Sequence, residues 1–480
     1  MRIYNMKSKM NERRTALPDL PLTELTTISP PDGRYRPRVK ELAHFTSEYG
    51  LIKARFEVEA KYLIALSSAG VIRPLTGREK DQLTNLGDTI DLTVAGRVKE
   101  IESETRHDVK AMERAFREMV AGTSLEEIVE MIHFGLTSED VNNLAYRLML
   151  KRAVNRVIIP TLDQITDELV QRAEKYKSLP MLARTHGQPA VPTTLGKEIA
   201  VFASRLNTQV RKLEDQKFTG KITGTVGNFN ALHFAYPDID WPAFSAKFVK
   251  SLGFESNPVT TQINQYEDII EYFQTLYRIN GIILNLDQDF WRYISDDWFI
   301  QAIIEGEVGS SIMPHKANPI DFENSEGNIA IGDGIIEAMA RKLRVSRLQR
   351  DLSDSTVIRN EGLVLAYALI AQKSVLEGLS RVSPNEPTIA EALNKNWIIL
   401  TEAVQTVLRK AGSKDPYSLI ASLARGRHVG QEEWQAWVNK LPVEEEQKTH
   451  LRELSPQTYL GLAKEITVKA TRKIKASRKR

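Results

Sequence analysis

The feature that most constrains this chain is an unbroken apolar stripe. Tyr266, Ile269, Phe273, Leu276, Ile279, Ile283, Leu286, Phe290 and Tyr293 recur at steps of three and four residues. That spacing places them on one face of a helix of roughly eight turns, at about 3.6 residues per turn. A helix of that length must cover its stripe with other helices, which points to a bundle. Two further stripes offer partners: Leu162, Ile165, Leu169, Ala173 and Tyr176, then Ile199, Phe202, Leu206, Val210 and Leu213. Alternating strand patterns are scarce, and no β–α alternation calls for a parallel sheet. The pattern predicts an all-α protein of three helical regions: 1–126, a central long-helix bundle over 127–379, and a smaller C-terminal region over 380–480. The last boundary follows the breakers at Ser383–Pro387, and the stretch from Leu179-Pro180 to Thr194, with Gly187, Pro189 and Pro192, reads as a loop.

Composition narrows the class. The chain has no cysteine, which excludes disulfides, thiolate zinc sites, cysteine nucleophiles and cysteine-ligated iron–sulfur clusters. With 42% hydrophobic and 26% charged residues it reads as globular rather than disordered. No run of about 18 apolar residues is evident, so no membrane-spanning helix is expected. Met1–Leu20 carries basic residues without an apolar core and does not read as a secretory signal. A cytoplasmic enzyme is expected. The net charge of +3 is unevenly spread, since 464–480 holds eight basic residues against one acidic and 1–19 five against two. The body between them is therefore acidic, and the basic ends read as solvated, frayed extensions rather than as nucleic-acid contacts.

The familiar cofactor motifs are missing. There is no Gly-x-x-x-x-Gly-Lys-Ser/Thr, no Gly-x-Gly-x-x-Gly and no His-Glu-x-x-His, which weighs against an ATPase, a dehydrogenase and a zinc hydrolase. The most informative segment is Gly309-Ser310-Ser311-Ile312-Met313-Pro314-His315-Lys316-Ala317-Asn318-Pro319. Backbone amides of such a Gly/Ser loop can form an anion nest, Lys316 adds positive charge and Asn318 adds donors. Together they suit a carboxylate or an enolate-like dianion.

This loop resembles the signature of the fumarase/aspartase superfamily. Within it the chain is similar to the adenylosuccinate lyase family, in its longer bacterial form, from about Thr26 to about Gly461. Ser29-Pro30-Pro31-Asp32-Gly33-Arg34-Tyr35, Thr105–Lys110, His133–Asp140, Arg184–Pro189, Thr260-Thr261-Gln262 and Arg350–Asn360 carry that resemblance. It implies a β-elimination that releases fumarate from adenylosuccinate, giving AMP, and from the succinylcarboxamide imidazole ribotide.

The same resemblance implies roles. Ser310 occupies the position of the base that removes the succinyl β-proton, with Ser311 as its neighbour and rival. His186 occupies that of the general acid, and Glu323 matches the carboxylate that orients it. Lys316, Asn318 and Asn324 complete an anion clamp. His107 and Asp108 match a substrate-binding pair, while Arg106 stands where close relatives carry Asn. Arg34 and Tyr35 match nucleotide contacts. Arg350, Ser355, Thr356 and Arg359 match a phosphate site, for which the planar guanidinium fork is suited. Thr137, Ser138 and Gln262 match contacts to the succinyl carboxylates. His133, His233 and His315 lie near these motifs without an assigned role. Acid, base and clamp are all side chains, so neither a metal nor an organic cofactor is implied. A homotetramer is implied, each site drawing segments from three chains. Argininosuccinate lyase activity, and a non-catalytic helical scaffold using the basic ends, are the rival readings.

Overall fold

The computed structural model describes residues 20–304, 306, 312–313, 315–424 and 429–478. Its longer elements are α1 (Glu48–Ser68), α2 (Leu92–Thr105), α3 (Asp108–Val120), α4 (Ser138–Ala153), α5 (Ile159–Lys175), β1 (Pro180–Thr185), β2 (Gln188–Thr194), α6 (Leu195–Glu214), α7 (Glu267–Ser295), α8 (Ile320–Leu343) and α9 (Glu361–Ser380). Short helices follow between Glu386 and Glu453, and a helix over Ala463–Ser477 closes the described chain.

The predicted stripe is the buried face of α7. Ile269, Phe273, Leu276, Ile279, Ile283, Leu286 and Phe290 are all buried there. They pack α7 between α6 and α8; α9 lies against α8 and α5, and α5 against α6. The two shorter stripes form the buried faces of α5 and α6, apart from Tyr176, which caps the C-terminal end of α5 and is also buried. α4 and α5 run on through a single π-helical turn, Val154–Ile158. Pro160 explains the turn, because it lacks an N–H and its ring would crowd the carbonyl four residues back.

The start of α7 is pinned by a buried ion pair. Arg147 of α4 donates to both oxygens of Asp268, at 2.8 and 2.7 Å, and to the Gln265 carbonyl at 2.8 Å. Thr219 adds its N–H, at 2.8 Å, and its hydroxyl, at 3.0 Å. Burial would raise the Asp268 carboxyl, but Arg147 and these donors hold it below its ordinary range.

Three expectations need correction. The stretch between Leu179 and Thr194 is not a loop but an antiparallel hairpin, β1 paired with β2. His186 and Gly187, at φ of 53° and 74°, form its two-residue turn, the left-handed pair that matches strand twist. Its prolines are accommodated beside a break in register between Leu182 and Arg184. Second, Ser353–Ser380 is long and apolar enough by composition to span a membrane. Its apolar surface is instead mostly buried, because α9 is packed on several sides within the bundle.

Third, the C-terminal basic stretch is docked rather than frayed. Helix Ala463–Ser477 packs on α6 and α5 and buries Thr467, Thr471 and Ile474. Acids of α5 meet its cations: Lys475 reaches Glu174 at 2.7 Å, and Arg478 reaches Asp167 at 2.9 Å. Two of the eight cations of that stretch are thus paired with acids in the fold. If this docking holds the helix, Ile474→Ala should destabilise the protein by about 2–5 kcal/mol, the usual cost of truncating a buried isoleucine. An unchanged thermal unfolding midpoint would restore the frayed tail.

Candidate active site

Local structure explains how each motif presents its side chains. Arg106 ends α2 in the left-handed region, at φ of 51°, and turns the chain sharply. His107 then caps α3, its ring Nδ1 accepting from the Lys110 N–H at 3.2 Å. Asp108 enters the first turn of α3, where the helix dipole favours an anion. Thr137 caps α4 and donates its N–H to Asp140 at 2.8 Å, which puts Ser138 at the first helical position.

One continuous set of hydrogen bonds and ion pairs joins several of the expected binding residues. Arg359 donates to Asp108 at 2.9 Å and to Glu48 at 3.0 Å. Asp108 also accepts from Arg55 at 2.6 Å, and Arg55 donates through Nε to Asn142 at 2.9 Å. Asn142 donates to Glu139 at 3.0 Å. Glu139 meets Arg350 at 3.1 Å, and Arg350 donates to Gln262 at 3.1 Å. Gln262 is fixed in turn by the Thr225 carbonyl at 3.1 Å. The middle of this chain is dry: Arg55 is 1% exposed and Glu139 3%. Ser355 and Thr356 lie on the short helix Ser353–Ile358 between the two arginines.

The charges are set by these neighbours. Burial would raise the Asp108 carboxyl, but Arg55 and Arg359 overcome it and hold it at about 2. Burial pushes Glu139 above the ordinary carboxylate range, with Arg350 opposing the shift. Two cations converge on Asp108, and across the set Arg55, Arg350 and Arg359 are matched by Glu48, Asp108 and Glu139.

A second group surrounds a cavity of about 650 Å³ lined by Arg34, Tyr35, Arg38, Ile320, Asp321 and Asn324. Asn324 donates to the Tyr35 hydroxyl at 3.0 Å and accepts from Ser374 at 2.9 Å. Arg38 donates to the same Ser374 at 3.0 Å. Asn318, just before α8, offers its carbonyl to Gln301 at 2.6 Å. Lys316 is exposed nearby in sequence, its N–H bonded to the Met313 carbonyl at 3.0 Å. Glu323 accepts from Trp291 Nε1 at 3.1 Å.

His186 stands apart, exposed at the tip of the β1–β2 hairpin. Among the described residues, no hydrogen bond or ion pair joins it to Glu323, to the cavity group or to the Asp108–Arg350 set. Ser310 and Ser311 lie outside the described residues. A single chain therefore presents the expected residues as separate groups.

Glu139, Asn142 and Arg55 were not marked out as site residues. Glu139 and Asn142 sit three apart at the start of α4, within and just after a quoted motif, which was the available signal. Arg55 on α1 gave none, because its partner is 53 residues away.

Comparison with known proteins settles the family. Residues 33–330 match a family model described as lyase, and residues 346–460 match one described as adenylosuccinate lyase C-terminal. The adenylosuccinate lyase of Haemophilus influenzae is 45% identical over 452 residues, 93% of this chain and 99% of that protein. The chain belongs to the adenylosuccinate lyase family. The Escherichia coli K12 enzyme of that name is also 45% identical, over 92% of this chain and 98% of its own, and that of Dictyostelium discoideum 42%, over 92% and 98%. Two solved structures share the fold at 18% identity. A fumarate lyase from a Mesorhizobium species superposes with a TM-score of 0.72, covering 90% of this chain and 97% of its own. A 3-carboxy-cis,cis-muconate lactonizing enzyme from Pseudomonas putida gives 0.70, covering 91% and 97%.

The Asp108 pairs make a pH-dependent contribution. A carboxyl held at about 2 in the fold and near its ordinary value of about 3.9 when unfolded stabilises the protein above pH 4 or so. The stability difference between the wild type and Asp108→Asn should be full there and close as pH falls toward 2. A difference independent of pH across that window would mean that the ion pairs contribute nothing.

Proposed function

We infer that this member of the adenylosuccinate lyase family catalyses the β-elimination of fumarate from adenylosuccinate, giving AMP, and from succinylaminoimidazole carboxamide ribotide, giving the carboxamide ribotide. It acts in purine nucleotide biosynthesis. The observation that carries this reading is the 45% identity to the Haemophilus influenzae enzyme over nearly the whole of both chains.

The chemistry assigns a role to each group. Ser310 takes the proton from the succinyl β-carbon, activated by the loop amides and Lys316. The charge that develops spreads into the adjoining carboxylate, which Lys316, Asn318 and Asn324 stabilise. The carbon–nitrogen bond then breaks, and His186 delivers a proton to the departing nitrogen, its ring polarised by Glu323. Arg350 and Arg359, with Ser355 and Thr356, hold the phosphate. Thr137, Ser138 and Gln262 hold the succinyl carboxylates, and Arg34, Tyr35, His107 and Asp108 the nucleotide. Arg106 adds a cation at the edge of this region.

The separation of His186, the Tyr35–Asn324 cavity and the Arg350 group on one chain supports a composite site. We propose a homotetramer in which three chains contribute to each site, with the α7–α8 surface facing its copies, at work in the cytoplasm. Exposed apolar side chains on that surface, Tyr277, Trp291 and Ile331, suit such burial.

Purified protein given adenylosuccinate should release AMP and fumarate in equal amounts. A folded, assembled protein that releases neither, but cleaves argininosuccinate, would move the assignment to another fumarate-releasing lyase. Ser310→Ala and His186→Ala should each lower kcat by at least the factor of about 10²–10⁴ typical of a positioned acid–base group. Dissociating and remixing the two inactive variants should restore part of the activity, because some mixed sites regain both residues. No recovery from mixed tetramers would place both residues on one chain.

A further inference from the structure

We propose that Glu139 is a positioning residue for the phosphate site: it holds Arg350 in its binding orientation and, through Asn142 and Arg55, ties that arginine to Arg359. This rests on the assignment of Arg350 and Arg359 to the substrate phosphate.

The case begins with what Glu139 does not do. It lies in the first turn of α4, where a carboxylate often serves as a cap. That task is already taken by Asp140, which accepts from the Thr137 N–H at 2.8 Å and from the Thr223 N–H at 2.9 Å. Glu139 is nevertheless 3% exposed, so a carboxylate there carries a desolvation cost that its partners must offset. Among the described residues its side chain meets Arg350, at 3.1 Å, and Asn142, at 3.0 Å.

Arg350 needs such a partner. Its Nε is buried without a hydrogen bond among the described residues, so no contact at that end of the guanidinium sets the plane. The plane is fixed instead by Gln262 on one terminal nitrogen and Glu139 on the other. A planar fork binds phosphate well only when it is held at the right angle, and misplacement by about 1 Å can cost up to 10²-fold in rate.

The chain behind Glu139 reaches the second arginine. Asn142 presents its amide N–H to Glu139 and its carbonyl to Arg55 Nε, at 2.9 Å. Arg55 and Arg359 share a single oxygen of Asp108, at 2.6 and 2.9 Å. A shift of Glu139 is therefore felt at both arginines, which can then bind one phosphate as a unit.

The test uses the assembled enzyme with adenylosuccinate and with succinyladenosine, the same substrate without its phosphate. Glu139→Gln keeps the shape and one acceptor oxygen. It should raise KM for adenylosuccinate about tenfold with kcat within about twofold, the split expected when uniform binding is lost. It should leave kcat/KM for succinyladenosine unchanged, which a general structural defect would not. In an Arg350→Ala background the same substitution should cost clearly less than it does alone, since only the path through Asn142 and Arg55 to Arg359 is left for it to disturb. Equal losses on both substrates, or full additivity with Arg350→Ala, would overturn the proposal. If Arg350→Ala itself fails to discriminate the substrates, the phosphate assignment falls. If it discriminates and Glu139→Gln does not, only the positioning role falls. Should Glu139→Gln assemble poorly, Asn142→Ser, which shortens the link behind Glu139, is expected to show the same phosphate-dependent split in smaller measure, and its absence there would overturn the proposal as well.

Discussion

Everything in this molecule is hung on the burial of one helical face. The stripe of α7 is covered by α6 and α8, and those helices are covered in turn by α5 and α9. Each large side chain removed from water stabilises the fold by about 1.5–3 kcal/mol, and the seven principal apolar residues of this stripe make it a dominant contribution. The bundle provides the rigidity that a site built from distant segments requires. Arg147 then converts packing into register, since its bidentate pair with Asp268 sets where α7 begins relative to α4. The same guanidinium holds the Gln265 carbonyl, three residues beyond Gln262 in the segment just before α7.

The polar chain from Arg359 to Gln262 is the counterpart of the apolar stripe. It crosses from α3 and α1 to α4 and on to the segment preceding α7. Buried ionic groups of this kind add little to stability against an apolar alternative, and they cost a great deal when one member is lost. Their value lies in direction. Each guanidinium is fixed by an acid or amide whose own position is fixed by a helix, so the arginines are oriented before a ligand arrives. Such fixed orientation is what buried charge can supply where packing alone cannot.

Legibility differed among the elements for physical reasons. Helical stripes were plain because every apolar residue repeats at the period of the helix that buries it, as at Leu162–Ala173 and Ile199–Leu213. The hairpin carrying His186 was not, because its three prolines read as loop punctuation, and pairing between Pro180 and Thr194 is a relation between two segments. The docked C-terminal helix was hidden for a related reason. Its lysines and arginines looked like excess charge until Asp163, Asp167 and Glu174 of α5 were placed opposite them. Among the members of the polar chain, Asp108 and Arg359 stand in motifs that the sequence singled out, whereas Arg55 was silent, since nothing near it in sequence signals a partner.

The helical class, the central stripe, the family and the residue types available for an elimination can all be read along the chain. These depend on local period and on short motifs, which survive intact in one dimension. It took the packed fold to show that Asp108 is shared by Arg55 and Arg359, that Glu139 meets Arg350, and that His186 stands on a turn away from both. Those facts are distances between segments, and a distance exists only once the chain has packed.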